Sequence, residues 1–325
     1  MSRLRYLLCA AATAAATLQM QPLAAQSYPE RPVTLVVPFA PGGSTSIVAR
    51  AVSDKMSEAL GQKIVIDNRA GAGGTIGTKA VANSPPDGYT LALGYTGTLA
   101  IGPTLYGNAG YDPRKDFAPI GMIGNAPNVM VVNPSFPVKT IAELIAYAKA
   151  NPGKVSFGSA GVGTASHVSG EYFATEAGIK LQHIPYKGTG PVLTDLIGGH
   201  IPMAFAPVPA SHSQITSGTL RALAVASPTR SSLLPNVPTI AEAGLPGFDA
   251  SLYYGLIAPA GTPRPIIDKL NAALRAALAS DEVKNRLVAD GTDVTPSTPE
   301  EYAAFLDKDE NKWSQIIKAS GAKAE

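Results

Sequence analysis

Residues 33–50 read VTLVVPFAPGGSTSIVAR: an apolar run, a proline-glycine turn, three hydroxyl residues and a helix-like pattern. The apolar run at 33–39 predicts a buried strand, and the apolar positions between Ile47 and Leu60 predict a helix with one buried face. Such a turn brings unpaired backbone amides to the N-terminus of the helix, where the helix dipole adds partial positive charge. The stretch therefore predicts an α/β fold and marks residues 38–46 as a candidate anion-binding turn.

The alternation of strand and helix patterns continues along the chain. Strand patterns occur at KIVID (63–67), YTLALG (89–94), KVSFGSAG (154–161), LQHIPY (181–186), PMAFA (202–206) and LRALAVA (220–226). With helical patterns between them, they predict mainly parallel sheets flanked by helices. In the more helical C-terminal third, Thr298 to Glu301 predicts a capped helix start, and Trp313 is expected to pack in the core beside Tyr302.

The N-terminus has the layout of a secretory signal. Two arginines precede an apolar run at 6–18, and small residues follow up to Ala25. The run is too short to span a bilayer, so we expect a signal peptide at 1–25, cleavage after Ala25 and a periplasmic location. The only cysteine, Cys9, would leave with the signal, which excludes disulfides and thiol chemistry from the mature chain.

Charge gives no sign of a polyanionic partner. The chain has 26 basic and 24 acidic residues, and the expected cleavage removes Arg3 and Arg5, which leaves 24 of each. A neutral mature chain has no bulk electrostatic reason to bind nucleic acid or an anionic membrane.

A second turn, GSAGVGTASH at 158–167, has the same composition as the first. Neither turn contains Arg or Lys, so amides, hydroxyls and water would hold an anion there reversibly, with no evident means of transforming it. The alternative interpretation is ordinary helix capping, in which the glycines serve only tight turn geometry.

The sequence lacks the motifs of several enzyme classes. No P-loop ending occurs, GAGGTIG (71–77) has the wrong glycine spacing for a dinucleotide fingerprint, and FGSAG (157–161) lacks the first glycine of a nucleophile elbow. The histidines show no metal-ligand spacing, so neither a metal site nor a cofactor is predicted. They are His167, His183, His200 and His212. A secreted serine hydrolase that uses Ser159 or Ser44 with His167 is the alternative function.

Eight stretches, in this order, resemble the Bug-type receptors, which are periplasmic solute-binding proteins of tripartite tricarboxylate transporters. They are YPERPVTLVVPFAPGGSTS (28–46), DNRAGAGGTIG (67–77), PPDGYTLALG (85–94), FGSAGVGTASH (157–167), IPYKGTGPVLTDLIGG (184–199), LRALAV (220–225), LLPNVPTIAEAGLPGF (233–248) and YYGLIAPAGTP (253–263). The resemblance covers the chain from Tyr28 to near its C-terminus.

The resemblance implies a receptor that is not an enzyme. Its expected fold is a two-lobed clamshell of the type II periplasmic-binding-protein class, each lobe a mainly parallel sheet flanked by helices. Domain 1 would comprise 27–127 plus 250–325, and domain 2 would comprise 128–249. A small carboxylate would bind between the lobes and pass to the membrane subunits of a transporter, and the receptor itself is expected to be a monomer. The same clamshell could instead serve a signalling system, and the sequence does not separate uptake from sensing.

In this interpretation the two turns face each other across the cleft and ordered waters assist them. Residues after the third strand and around 186–188 are further cleft candidates. The predicted ligand-binding residues are Phe39, Ala40, Gly42, Gly43, Ser44, Thr45, Ser46, Thr96, Thr98, Ser159, Gly161, Gly163, Thr164, Ala165, His167, Tyr186 and Gly188.

The chain departs from the family pattern at acidic positions. Ser46 stands where the first turn commonly ends in Asp, and Pro202 and Ala206 stand where the PMAFAP strand often carries Asp. A cleft without these acids repels anions less and pairs less well with an ammonium group. We therefore expect an aliphatic or aromatic acid without an amine in preference to an amino acid.

Overall fold

The computed structural model describes residues 28–324, so the predicted signal segment lies outside the described residues. The strands in this part of the chain are β1 (Val33–Val37), β2 (Ile64–Asn68), β3 (Thr90–Tyr95), β4 (Phe117–Ala126), β5 (Asn128–Val132), β6 (Val155–Ser159), β7 (Leu181–Pro185), β8 (Met203–Pro207), β9 (Arg221–Val225), β10 (Leu252–Pro259) and β11 (Asp293–Val294).

The helices are α1 (Ser44–Leu60), α2 (Thr75–Ala82), α3 (Gly102–Tyr106), α4 (Ile141–Ala150), α5 (Ala165–Glu176), α6 (Thr189–Ile197), α7 (Val208–Thr216), α8 (Arg264–Ala279), α9 (Asp281–Ala289) and α10 (Pro299–Ser320). A 3₁₀ turn at Ala72–Gly74 precedes α2, and a π-helical turn at Gly97–Ile101 precedes α3. Among the described residues, no helix combines the length and the apolar character that a membrane span needs.

The strands form two sheets, of six strands in the order β11-β4-β10-β3-β1-β2 and of five in the order β7-β6-β8-β5-β9. Each sheet has a parallel part, formed by β2-β1-β3 in the first and β7-β6-β8 in the second. The strands β10 and β5 pair antiparallel with their neighbours. The predicted α/β class with helix-flanked sheets is confirmed. The sheets are mixed: the chain enters the second sheet at β5 and returns to the first at β10, and both strands run antiparallel to their neighbours.

Two segments carry the chain between the sheets. The first joins β4 to β5 through Pro127, and the second leads from β9 back to β10. They run side by side, because the Ala226 amide donates to the Asn128 carbonyl and the Ala250 amide donates to the Ala226 carbonyl, both at 2.7 Å. Lys312 on α10 forms an ion pair with Asp249 at 3.1 Å beside the second crossing. The crossings are thus joined to each other and to the C-terminal helix.

Local capping signals act as the sequence predicts. Thr298 accepts a hydrogen bond from the Glu301 amide, and the Glu301 carboxylate accepts one from the Thr298 amide, which completes a capping box at the start of α10. Farther along this helix Trp313 is fully buried, as is Tyr302. The predicted core role of both aromatic residues is confirmed, and it fixes α10 against the first sheet.

Candidate ligand-binding cleft

The first predicted turn lies between β1 and α1 and faces the second sheet. Gly43 is the N-cap of α1 and no side chain caps this helix, so its first amides are left without an intrahelical or side-chain acceptor. Ser44 and Thr45 follow, and both are buried. Asn68, at the end of β2, holds the turn from behind by donating to the Phe39 carbonyl at 2.8 Å and to Ser46 Oγ at 3.0 Å.

The second predicted turn lies between β6 and α5 and hydrogen-bonds mainly within itself. Thr164 is the N-cap of α5: its hydroxyl donates to the Gly161 carbonyl at 2.6 Å and accepts from the His167 amide. The Ala160 amide donates to Ser166 Oγ at 3.0 Å. This turn therefore has fewer amides and hydroxyls without a hydrogen-bond partner than its composition suggests.

A third helix N-terminus reaches the same place. Gly188 is the N-cap of α6, again without a side-chain cap, and Thr189 is its first residue. A Cβ atom built on Gly43 would lie 3.7 Å from the Thr189 amide nitrogen, so the starts of α1 and α6 are adjacent. Because the dipoles of both helices point their positive ends at this spot, it is favourable for negative charge.

A small cavity separates these elements. Its volume is about 10 Å³, room for roughly one water molecule. It is lined by Phe39, Gly43, Ser44, Thr45, Tyr95, Ala160, Ser166, Thr189 and Pro207. None of these side chains is charged at neutral pH, since burial raises the pKa of Tyr95 further above its usual range. Positive potential in the cleft must come from amides and helix dipoles.

The two halves of the molecule touch across the cleft. The Tyr95 hydroxyl, from the first sheet, accepts a hydrogen bond from the Ala165 amide at the start of α5, at 2.8 Å. The Tyr106 hydroxyl on α3 donates to the Val162 carbonyl in the second turn, at 2.7 Å. A Cβ built on Gly73 would lie only 2.1 Å from that same carbonyl oxygen. The structure is therefore a closed form, with backbone packed against backbone.

The structure separates the predicted residues into groups. Phe39, Gly43, Ser44 and Thr45 line the cavity. Gly161 and Gly163 form the rim of the cleft: an added Cβ atom would meet the Tyr186 carbonyl at Gly161 and the Tyr106 ring at Gly163. A Cβ built on Gly188 would lie 3.6 Å from the Ala40 amide nitrogen. Gly42 adopts a positive φ of 86° with open space beside it, and Thr164 and Ala165 begin α5.

Other predicted residues point elsewhere. Thr96 Oγ1 accepts from the Tyr253 amide, and Thr98 Oγ1 donates to the Tyr95 carbonyl, so both hydroxyls serve packing inside the first half. The Tyr186 hydroxyl donates to Asp195 at 2.7 Å. Ser46 pairs with Asn68 behind the turn.

The serine-histidine pairing differs from the one considered in the sequence. Ser159 Oγ lies 2.6 Å from Nε2 of His183, whereas His167 accepts from the Gly163 amide through Nδ1 at 3.3 Å. The two rings stack at 4.1 Å between centroids. Burial lowers the pKa of His167 to about 3 and that of His183 to about 4. Ser159 is fully buried in this closed form, and its hydroxyl also hydrogen-bonds with the backbone of Gly161.

The cavity is also lined by Ala160 and Ser166, which lie within the predicted second turn but were not among the predicted ligand-binding residues. Sequence reasoning missed Tyr95, Thr189 and Pro207 altogether. For Thr189 a signal existed, because the GTG at 188–190 follows a strand and opens a helix as the first turn does. Tyr95 ends a buried strand and carries no such signal, since only the approach of the two halves brings its hydroxyl to α5.

Comparison with known proteins identifies the family of this chain. Residues 48–322 match the model of the tripartite tricarboxylate transporter family receptor. Protein BugT of Bordetella pertussis is 41% identical over 303 residues, which cover 93% of each chain.

Two solved structures of Rhodopseudomonas palustris proteins are also similar. Rpa4515 with adipate has a TM-score of 0.88 and 38% identity, and the match covers 91% of this chain and 99% of that one. MatC with bound malate has a TM-score of 0.86 and 35% identity, with 89% and 100% covered. These similarities confirm the periplasmic-binding-protein fold and the predicted resemblance. This chain therefore belongs to the tripartite tricarboxylate transporter receptor family of solute-binding proteins.

Proposed function

We propose that this protein captures a small dicarboxylate without an amine in the cleft between its lobes and delivers it to a tripartite membrane transporter. The observation that carries the proposal is the meeting of the uncapped N-termini of α1 and α6 at a cavity without charged side chains. Amides at helix N-termini bind carboxylates well and leave them chemically unchanged.

The relatives support the ligand class. Adipate and malate, held by two family members of the same fold, are both dicarboxylates without an amine. In this chain one carboxylate would lie at the start of α1, with the hydroxyls of Ser44 and Thr45, and Thr189 would approach it from α6. Ser159 and His167 would support the second turn from behind.

Binding requires the cleft to open. A cavity of about 10 Å³ is far too small for a dicarboxylate, so entry means that the lobes separate. We infer that the lobes are 27–127 with 250–325 and 128–249, and that they rotate about the paired crossings near Asn128 and Ala250. The ligand would then shift the population toward a closed form by binding both lobes at once.

The family also supports the cellular setting of the proposal. A receptor of a tripartite transporter meets its ligand outside the cytoplasmic membrane, which agrees with the signal-like segment at 1–25. We propose export to the periplasm as a monomer. Detection of the protein in the periplasmic fraction, shortened by the signal, would test this part.

The test is a thermal-shift screen of residues 26–325 with mono-, di- and tricarboxylates, aromatic acids and amino acids, followed by calorimetry. A ligand present at one hundred times its Kd stabilises the protein by about 2.7 kcal/mol. Hits among amine-free dicarboxylates are expected. Selective tight binding of aspartate or glutamate would overturn the ligand class, and turnover of a carboxylic ester would favour the hydrolase.

A matched pair of variants tests the placement of the ligand. Thr189→Val removes a hydroxyl from the start of α6 and should raise Kd about tenfold or more, since hydrogen bonds to charged groups contribute about 1.5–3 kcal/mol. Thr194→Val makes the same change at an exposed position of the same helix and should leave Kd unchanged. Equal effects of the two would remove α6 from the ligand site.

A further inference from the structure

Three side chains that can bind a metal ion lie close together beside the second turn. The cluster consists of His167 and Glu171 on α5 and His183 on β7. One ligand atom of each residue lies within 4.8 Å of one atom of each of the others. The cluster is not visible in the sequence, because His183 is separated from His167 by sixteen positions and only the packing of β7 beside α5 brings them together.

We propose that His167, Glu171 and His183 bind a divalent ion of the zinc type. Residues four apart on a helix share a face, so His167 and Glu171 point the same way, and His183 completes a two-histidine, one-carboxylate set. Zinc bonds of about 2.0–2.1 Å in tetrahedral geometry need donor atoms roughly 3.4 Å apart. Donor atoms as far apart as 4.8 Å must therefore approach by up to about 1.4 Å, and the stacked rings must turn toward the ion.

The chemistry of the donor atoms indicates which ions fit the cluster. The set of two nitrogens and one oxygen fits zinc and its neighbours better than calcium or magnesium, which prefer oxygen ligands.

Each histidine ring has a hydrogen bond on one of its two nitrogens. Ser159 Oγ pairs with Nε2 of His183, which leaves Nδ1 of that ring for an ion. The Gly163 amide donates to Nδ1 of His167, which leaves Nε2. An ion at Nε2 moves the ring proton to Nδ1, so the contact with Gly163 is given up. At 3.3 Å that contact is the weaker of the two.

The surroundings allow an ion to enter. A cavity of about 550 Å³ borders all three residues, together with Gln182 and Lys323 near the C-terminus. It leaves room for water at a fourth coordination position, as in open zinc sites. The bound ion would join the first turn of α5 to β7 and so stiffen the region that carries the second turn of the cleft.

The test uses untagged protein, residues 26–325, stripped with a chelator and titrated with ZnCl2 by calorimetry and with CoCl2 by visible absorption. One equivalent should bind, and Co²⁺ should show the spectrum of a four-coordinate site. His183→Asn and Glu171→Gln should each raise the Kd for Zn²⁺ at least about tenfold. His200→Asn, at an exposed histidine, is the matched control and should bind like the unmodified chain.

Circular dichroism melting shows whether each variant folds. If His183→Asn does not fold, Glu171→Gln still tests the proposal. No saturable binding of either ion by the unmodified protein would overturn the proposal. It would also be overturned if His200→Asn lost as much affinity as His183→Asn or Glu171→Gln, because the ion would then bind surface histidines. The dicarboxylate screen does not depend on these outcomes.

Discussion

Replacing Gly73 by alanine should weaken ligand binding without a matching loss of stability. Gly73 lies in the turn before α2 with φ 62° and ψ 17°, and an added Cβ would lie 2.1 Å from the Val162 carbonyl oxygen of the opposite lobe. Real Cβ atoms do not come closer than about 3.0 Å, so the turns must separate by roughly 0.9 Å at this contact. The closed form alone bears that cost, because open lobes do not bring these residues together.

The magnitude follows from two losses. Overpacking of a tight contact costs about 1–3 kcal/mol. The same displacement would stretch the 2.7 Å hydrogen bond from Tyr106 to Val162 beyond bonding range, which costs about 1 kcal/mol. Together these losses penalise the closed form by about 2–4 kcal/mol, which corresponds to a roughly 30- to 700-fold increase in Kd, since each 1.4 kcal/mol is a factor of ten.

Gly61→Ala is the matched control. Gly61 ends α1 with φ 72° and ψ 11°, nearly the backbone conformation of Gly73, and a Cβ there meets nothing within 4 Å. Both variants carry the same left-handed strain of about 1–2 kcal/mol. Calorimetry with the best dicarboxylate from the screen measures Kd, and thermal melting without ligand measures stability. If Gly73→Ala binds within threefold of Gly61→Ala, closure does not bring these turns into contact and the reasoning fails.

Three further predictions concern closure, charge and pH. Tyr106→Phe removes the hydrogen bond to Val162 and should raise Kd about fivefold by calorimetry, with the melting temperature of the unliganded protein unchanged. Ser46→Asp should raise Kd for dicarboxylates about tenfold and Ser46→Asn should not, because only the first brings a like charge to the start of α1; equal effects would mean that the shape of the turn matters instead. Burial raises the pKa of Asp309 from 3.8 to about 7. Between about pH 4 and 7 the unfolded chain has released this proton and the folded chain still holds it, so the folded state loses stability as the pH rises through this range. Asp309→Asn should therefore stabilise the protein by ~2–4 kcal/mol at pH 8 and little at pH 4 in melting experiments, and an equal gain at both pH values would contradict the assignment.

Local sequence signals were sufficient to predict the strands and helices and to identify the first turn as one side of the cleft. The strand, turn and helix of residues 33–60 follow from apolar spacing and from glycine at the turn, and the capping box at Thr298 follows from three neighbouring side chains. The uncharged character of the first turn could also be read directly, since no basic residue occurs within it. Each of these features depends on residues a few positions apart, and backbone geometry relates such residues in a fixed way.

Contacts between distant segments needed the tertiary structure. The sequence placed Thr96 and Thr98 in the cleft, whereas the fold directs their hydroxyls into the first lobe, and it brings Thr189 to the start of α1 instead. The stacking of His167 on His183 depends in the same way on how β7 packs beside α5. The sequence by itself determined where helices follow strands, because apolar spacing and turn residues are local, although it overstated the unpaired amides of α5 and missed those of α6. Only the tertiary structure decided which of those helices meet, because that depends on the packing of two sheets and on how the crossings hold one lobe against the other.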